Sequence, residues 1–152
     1  MKAVFHLRDP RQWLALGFGV GLLPRAPGTA GTLAAAPLVW ALMHLPALWY
    51  ALVVAGAFAL GCWVCGVTAR AVGVHDHPAI VWDEFVGLAI ALWAIPPGVL
   101  TVAAGVALFR VLDILKPWPI RLLDRRVTGG LGIMLDDVLA AVPVALLLHW
   151  VT

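Results

Sequence analysis

At 152 residues, 63% hydrophobic and only 12% charged, the chain lies far from a soluble domain, which is about half apolar and about a quarter charged. The formal net charge of +2, with no basic tract interleaved with aromatics, argues against nucleic acid as a partner. The length allows one domain, residues 1–152, and the composition assigns that domain to a lipid bilayer, with eight Trp suited to helix ends at the interfaces.

The chain opens with a basic, then apolar stretch that imitates a signal peptide. Gly17, Gly19 and Gly21 break its apolar part and Asp9 interrupts its basic part, so it is expected to be retained. Asp9-Pro10 reads instead as a cap followed by Pro at the first helical position, opening a short helix over "RQWLAL". Next comes "GFGVGLLPRAPGTAGTL". Pro24, Pro27 and the five glycines exclude a regular helix across residues 17–31. Thr29 or Thr32 is then positioned to cap the first membrane helix. A Gly-rich turn at a helix N-terminus offers free amides and a positive dipole end. Gly28, Thr29, Gly31 and Thr32, with Arg25 beside them, are therefore candidate phosphate-binding residues. A plain re-entry loop would need the same turn chemistry.

Residues 26–69 carry no Asp, Glu, Lys or Arg. That is too long for one crossing of ~20 residues. Pro46 lies near its middle, so the stretch predicts a helical hairpin over residues 32–44 and 47–69. Its flanks hold Arg25 and Arg70 and its turn holds neither Lys nor Arg, which places the flanks on the cytoplasmic side. Cys62 and Cys65 lie inside the second arm and read as small apolar core residues. "HDHPAIVWDEFVG" follows. His75 and His77 read as loop residues, because magnesium prefers oxygen to imidazole. Asp83 and Glu84 stand where the next span begins. A favourable helix-dipole contact needs only exposed acids, not two at the edge of an apolar run.

Residues 85–109 are again free of charge, and Pro96-Pro97-Gly98 reads as a turn. A single crossing would leave Lys116, Arg121, Arg125 and Arg126 outside, so a second hairpin is expected. Its first arm, residues 85–95, is only about 16 Å long. The helix must therefore run back through Val81, and the second arm forward through Arg110 to Leu115. On that arm Arg110, Asp113 and Lys116 share a broad face, and Pro117 and Pro119 end the helix. "TGGLGIMLDD" closes the motifs. Gly129, Gly130 and Gly132 suggest a flexible approach, and Asp136 or Asp137 is placed to cap a last apolar helix. One carboxylate suffices for a cap. Asp136 comes first and is better placed for it, which leaves Asp137 for chemistry. The expected fold is all-α, a small polytopic membrane bundle of about five short helices. Two hairpins precede the C-terminal helix, the N-terminus is inside, and the motif loops share the cytoplasmic face.

That topology brings Asp83, Glu84, Asp113, Asp136 and Asp137 to one depth. Five mutually repelling carboxylates are accommodated by a divalent cation, and Mg²⁺ shared with substrate phosphate is a common arrangement. All five are candidate metal ligands, and Asp83, Glu84, Asp113 and Asp137 are the candidate catalytic set. Arg110 and Lys116 would offset the remaining phosphate charge. Mg²⁺-dependent phosphoryl chemistry on a phospholipid follows.

Together, "GFGVGLLPRAPGTAGTL", "VHDHPAIVWDEFVG", "LFRVLDILKPWPIRLLDR" and "GGLGIMLDD" resemble the bacterial phosphatidylglycerophosphatase A family, from about Leu14 onward. The resemblance implies a Mg²⁺-dependent hydrolase of the inner membrane. It would remove the terminal phosphate of phosphatidylglycerophosphate to give phosphatidylglycerol. It implies no protein partner. Other enzyme classes lack their motifs here. There is no Asp-Gly for a CDP-alcohol phosphotransferase, no Ser for a histidine-nucleophile lipid phosphatase, and no D-x-D-x-T. The rival from another class is a small divalent-cation carrier or channel, whose acids should lie near the bilayer midplane.

Overall fold

The computed structural model describes residues 4–152, and their regular structure is helical throughout. The helices are α1 (Pro10–Ala15), α2 (Pro27–Leu42), α3 (Ala47–Val72), α4 (Trp82–Ala91), α5 (Val99–Leu115), α6 (Ile120–Arg126) and α7 (Gly129–Val151). A turn of 3-10 helix at Val20–Leu22 lies between α1 and α2. The five helices α2, α3, α4, α5 and α7 form the bundle, and α1 and α6 are short additions at one end. Asp9 caps α1 as expected, its side chain accepting from Arg11 N at 2.9 Å with Pro10 at the first position.

Both hairpins are present. A short turn ending at Pro46 reverses α2 into α3. Pro96-Pro97-Gly98 reverses α4 into α5, and the antiparallel pairing is visible along the arms. Glu84 meets Arg110 near one end, Gly87 abuts the ring of Phe109, and Gly105 abuts Leu92 toward the other. In the same way Gly61 packs on Met134 and Gly66 on Gly130, so α3 and α7 run antiparallel. The starts of α2 and α4 and the ends of α3 and α5 therefore gather at one end of the bundle.

At the centre is α4, only ten residues long and buried on nearly every side. It spans about 15 Å, half of a hydrocarbon core of about 30 Å. Backbone that ends at such depth must find partners inside the protein. The carbonyl of Ala89, in the last turn of α4, accepts from the Tyr50 hydroxyl of α3 at 2.7 Å. The indoles of Trp82 and Trp93 tie α4 and the turn after it to the carbonyls of Ala57 and Ala47 on α3. Two helices, α3 and α7, are long and apolar enough to cross a membrane. Large apolar side chains such as Leu100 and Trp150 stand more than four-fifths exposed on the outside, as lipid-facing residues would.

Three local expectations are corrected. Residues 17–31 are not free of helix, because α2 begins at Pro27 and includes Gly28 and Gly31. Proline suits the first helical position, and the glycines are used for close packing rather than for a loop. A Cβ on Gly31 would stand 2.8 Å from Val81 Cβ. Neither Thr29 nor Thr32 caps α2, since Ala26 holds that position in a left-handed conformation with φ 45°. Finally, neither Asp136 nor Asp137 is a cap. α7 starts at Gly129, where the Thr128 side chain before it makes no capping bond and the Gly129 amide donates to His75 Nε2 at 2.8 Å. The glycines read as a flexible approach are its first turn. A Cβ on Gly130 would collide with the carbonyl oxygen of Cys62, so packing against α3 overrides the weak helix propensity of glycine. Cys65 is fully buried and Cys62 half-buried, and no disulfide joins them.

Candidate active site

The carboxylates converge at the end where α2 and α4 begin. Asp83 and Glu84 occupy the first turn of α4, and Asp136 and Asp137 the third turn of α7. All four are more than nine-tenths buried. One oxygen each from Asp83, Asp136 and Asp137 fall within 4.8 Å of one another. Asp136 Oδ1 and Asp137 Oδ2 are buried without a hydrogen-bond partner. Buried carboxylate oxygens are normally satisfied, so two orphans in one cluster need an explanation. Three hard oxygen donors with spare lone pairs fit a divalent cation of the magnesium type. No thiol or imidazole belongs to the set.

Glu84 is held differently. Arg110 Nη1 of α5 donates to its Oε1 at 2.6 Å, and the Thr32 hydroxyl of α2 donates to its Oε2 at 2.8 Å. The same guanidinium nitrogen pairs with Asp113, one turn further along α5. Thr32 thus fixes an acid, and Glu84 has no oxygen left over. A Cβ on Gly28 would collide with Glu84 Oε1 and lie 3.1 Å from Arg110 Nη2. Glycine there lets the start of α2, whose first amides lack intrahelical partners, close directly over the pair.

Lys116 terminates α5 in a left-handed conformation with φ 42°. Its ammonium donates to Asp136 Oδ2 at 2.5 Å and lies 3.5 Å from Asp124 Oδ2 on α6. Despite partial desolvation, these carboxylates hold its pKa above the ordinary lysine value, so it stays a cation. Asp76, exposed at the rim, is pushed above the usual carboxylate range. Desolvation is the main cause, opposed by Lys116 and reinforced by Asp124. Oxygens of Asp76, Asp124 and Asp136 form a second close cluster, which Lys116 already serves as counter-charge.

A cavity of about 300 Å³ opens over these groups. Asp76, Asp83, Glu84, Asp113, Asp136 and Asp137 line it, together with Arg110, Lys116 and the Ala26-Pro27-Gly28 start of α2. Acids and cations therefore meet on one small concavity, the arrangement required to bind a phosphate through both a metal and basic groups. Of the predicted phosphate-binding residues, Gly28, Arg110 and Lys116 line the cavity. Thr32 acts on Glu84, Gly31 packs on Val81, Arg25 is exposed, and neither Arg25 nor Thr29 reaches the lining. Asp76 and Asp124 were not expected at the site. Asp76 in "HDHP" was masked by its histidines, and Asp124 lies on a short helix that charge patterning did not reveal.

Comparison with known proteins points the same way. The family model for Phosphatidylglycerophosphatase A matches residues 13–152. Phosphatidylglycerophosphatase A of Escherichia coli (strain K12) is 48% identical over 151 residues, 99% of this chain and 88% of that protein. The protein of the same name from Haemophilus influenzae is 50% identical over 138 residues, 90% of this chain and 85% of that protein. No solved structure gives a significant match.

Proposed function

This chain belongs to the phosphatidylglycerophosphatase A family, a family of phosphoric monoester hydrolases, and on that premise we propose a substrate, a metal and a setting for it. The substrate is phosphatidylglycerophosphate, hydrolysed to phosphatidylglycerol and inorganic phosphate. The cofactor is Mg²⁺, and the reaction takes place at the cytoplasmic face of the bacterial inner membrane. The observation that carries this reading is the buried Asp83, Asp136 and Asp137 cluster with its two orphaned oxygens, opening into a cavity that also holds Arg110 and Lys116.

Asp83, Asp136 and Asp137 are the residues that would hold the metal. Mg²⁺ bound there would supply positive charge to the phosphate oxygens and so favour attack at phosphorus. The rest is the work of the chain. Lys116, bonded to Asp136, and Arg110, bonded to Glu84, offer cations to the phosphate oxygens beside the carboxylates. Glu84, locked by Arg110 and Thr32, fixes the guanidinium in its place. Asp113 pairs with the same guanidinium nitrogen. The free amides at the start of α2 present the positive end of that helix to the same concavity. The terminal phosphate of a lipid enters from the charged end of the bundle while its acyl chains stay with the apolar flanks.

The carrier reading is disfavoured by the same geometry. The acids gather at one end of the bundle, and the buried Leu88, Ala89, Ala91, Leu92 and Ile95 fill the interior beyond them. Phosphate release from phosphatidylglycerophosphate by purified protein tests the proposal. EDTA should abolish release and Mg²⁺ restore it, while Zn²⁺, which favours softer ligands, should not. Full turnover in metal-free protein would contradict it.

A further inference from the structure

A second cavity, of about 350 Å³, lies next to the acid-lined one. Its walls are Lys116, Pro117, Trp118, Arg121, Leu122 and Arg125. Three of these are cations and none is an acid. Arg121 and Arg125 stand four residues apart on α6 and so share a face. Among the described residues neither takes part in an ion pair. Arg121 has one long contact, 3.5 Å to the Leu115 carbonyl. The acid between them, Asp124, is directed to Lys116 instead. Two arginines placed together without a paired carboxylate, beside a lysine, form a site for an outside anion, and paired arginines match the fork geometry of a phosphate.

Two further features say which anion. Trp118, four-fifths exposed, stands on the rim, and tryptophans at helix ends sit at headgroup depth. Lys116 lines both cavities, so the two anion positions adjoin across a single side chain. A lipid carrying a terminal phosphomonoester and an internal phosphodiester, joined through glycerol, presents two anions at such a short spacing.

We propose that Lys116, Arg121 and Arg125, with Trp118 at the rim, form a second anion subsite. It holds the internal phosphodiester of the lipid while the terminal phosphomonoester lies among the carboxylates. The inference rests on the substrate reading above and deepens it. Arg121 and Arg125 are positioning residues. They select a lipid with two phosphates over one whose single phosphate is joined directly to diacylglycerol, because the latter cannot fill both cavities.

The test is the Arg121→Ala/Arg125→Ala double variant, assayed in neutral detergent micelles with phosphatidylglycerophosphate as the sole anionic lipid. KM should rise about tenfold or more with kcat little changed, the mark of lost binding that is equal in ground and transition states. Phosphatidylglycerol carries the diester without the monoester. It should compete with substrate in the wild type and lose that effect in the double variant. Arg121→Lys/Arg125→Lys should recover part of both. Unchanged KM and unchanged phosphatidylglycerol inhibition in a double variant that elutes like the wild type would overturn the subsite. So would a fall in kcat alone. An effect confined to anionic vesicles would overturn it too, and assign the arginines to bulk lipid. Wild-type protein inert toward phosphatidylglycerophosphate would overturn the substrate reading, and the subsite with it.

Discussion

Asp137→Asn separates a metal site from a structural acid. Asp137 is 2% exposed, lies in the third turn of α7, and keeps Oδ2 unpartnered. It caps nothing, so asparagine forfeits no cap and preserves shape. It has close acid neighbours, with oxygens of Asp83 and Asp136 within 4.8 Å. At an effective dielectric of about 20, each ionised pair at that separation repels by about 3 kcal/mol. Removing one charge should therefore stabilise the metal-free protein. With Mg²⁺ the sign reverses, because a ligand has been lost. Two melting curves read this directly. In EDTA the variant should melt above the wild type. On adding Mg²⁺ the wild type should gain Tm and the variant should not. Turnover should fall about 10³-fold or more, which is about 4 kcal/mol at 1.36 kcal/mol per decade. A variant with near-normal turnover and the wild-type Tm gain in Mg²⁺ would refute the reasoning.

Three other predictions follow from the packing and topology. Cysteine reporters at His44 or Pro97, in a background lacking Cys62 and Cys65, should label from the periplasm, and one at Arg126 should not; periplasmic labelling at Arg126 would contradict the hairpin orientation. Replacing Cys62 and Cys65 by Ala should leave turnover within a few-fold, because both sit in the α3 packing surface, and a loss beyond a hundredfold in folded protein would point to redox chemistry. Gly130→Ala drives a methyl into the Cys62 carbonyl and should destabilise by about 1–3 kcal/mol. Gly56→Ala meets open space and should be neutral or gain up to about 1 kcal/mol, so equal melting shifts for the two would refute the account of α3–α7 packing.

Much of the fold was legible because charge is so costly in lipid. The two charge-free stretches and the Pro-containing turns identify both hairpins, and Leu115 ends α5 where the prolines after it require. The convergence of Asp83, Glu84, Asp113, Asp136 and Asp137 followed from that topology alone. Helix starts were harder to read. The glycines of α2 and α7 look like breakers in sequence, yet each abuts a neighbouring element, and only the packed structure reveals that use. The division of labour among the acids was also hidden. Nothing local distinguishes Glu84, saturated by Arg110 and Thr32, from its neighbour Asp83 in the buried cluster. Asp76, Asp124 and the Arg121–Arg125 pair reach the site through tertiary folding, and no spacing in the chain signals it.

The central claim is that Asp83, Asp136 and Asp137 bind a divalent cation. Mn²⁺ can stand in for Mg²⁺ at oxygen-rich sites and is visible by electron paramagnetic resonance. Titrating Mn²⁺ into metal-free wild type, Asp83→Asn and Asp137→Asn proteins measures the claim without reference to turnover. The account predicts saturable binding in the wild type, displaced by Mg²⁺ and lost in both variants. Binding of undiminished affinity in the two variants would contradict it.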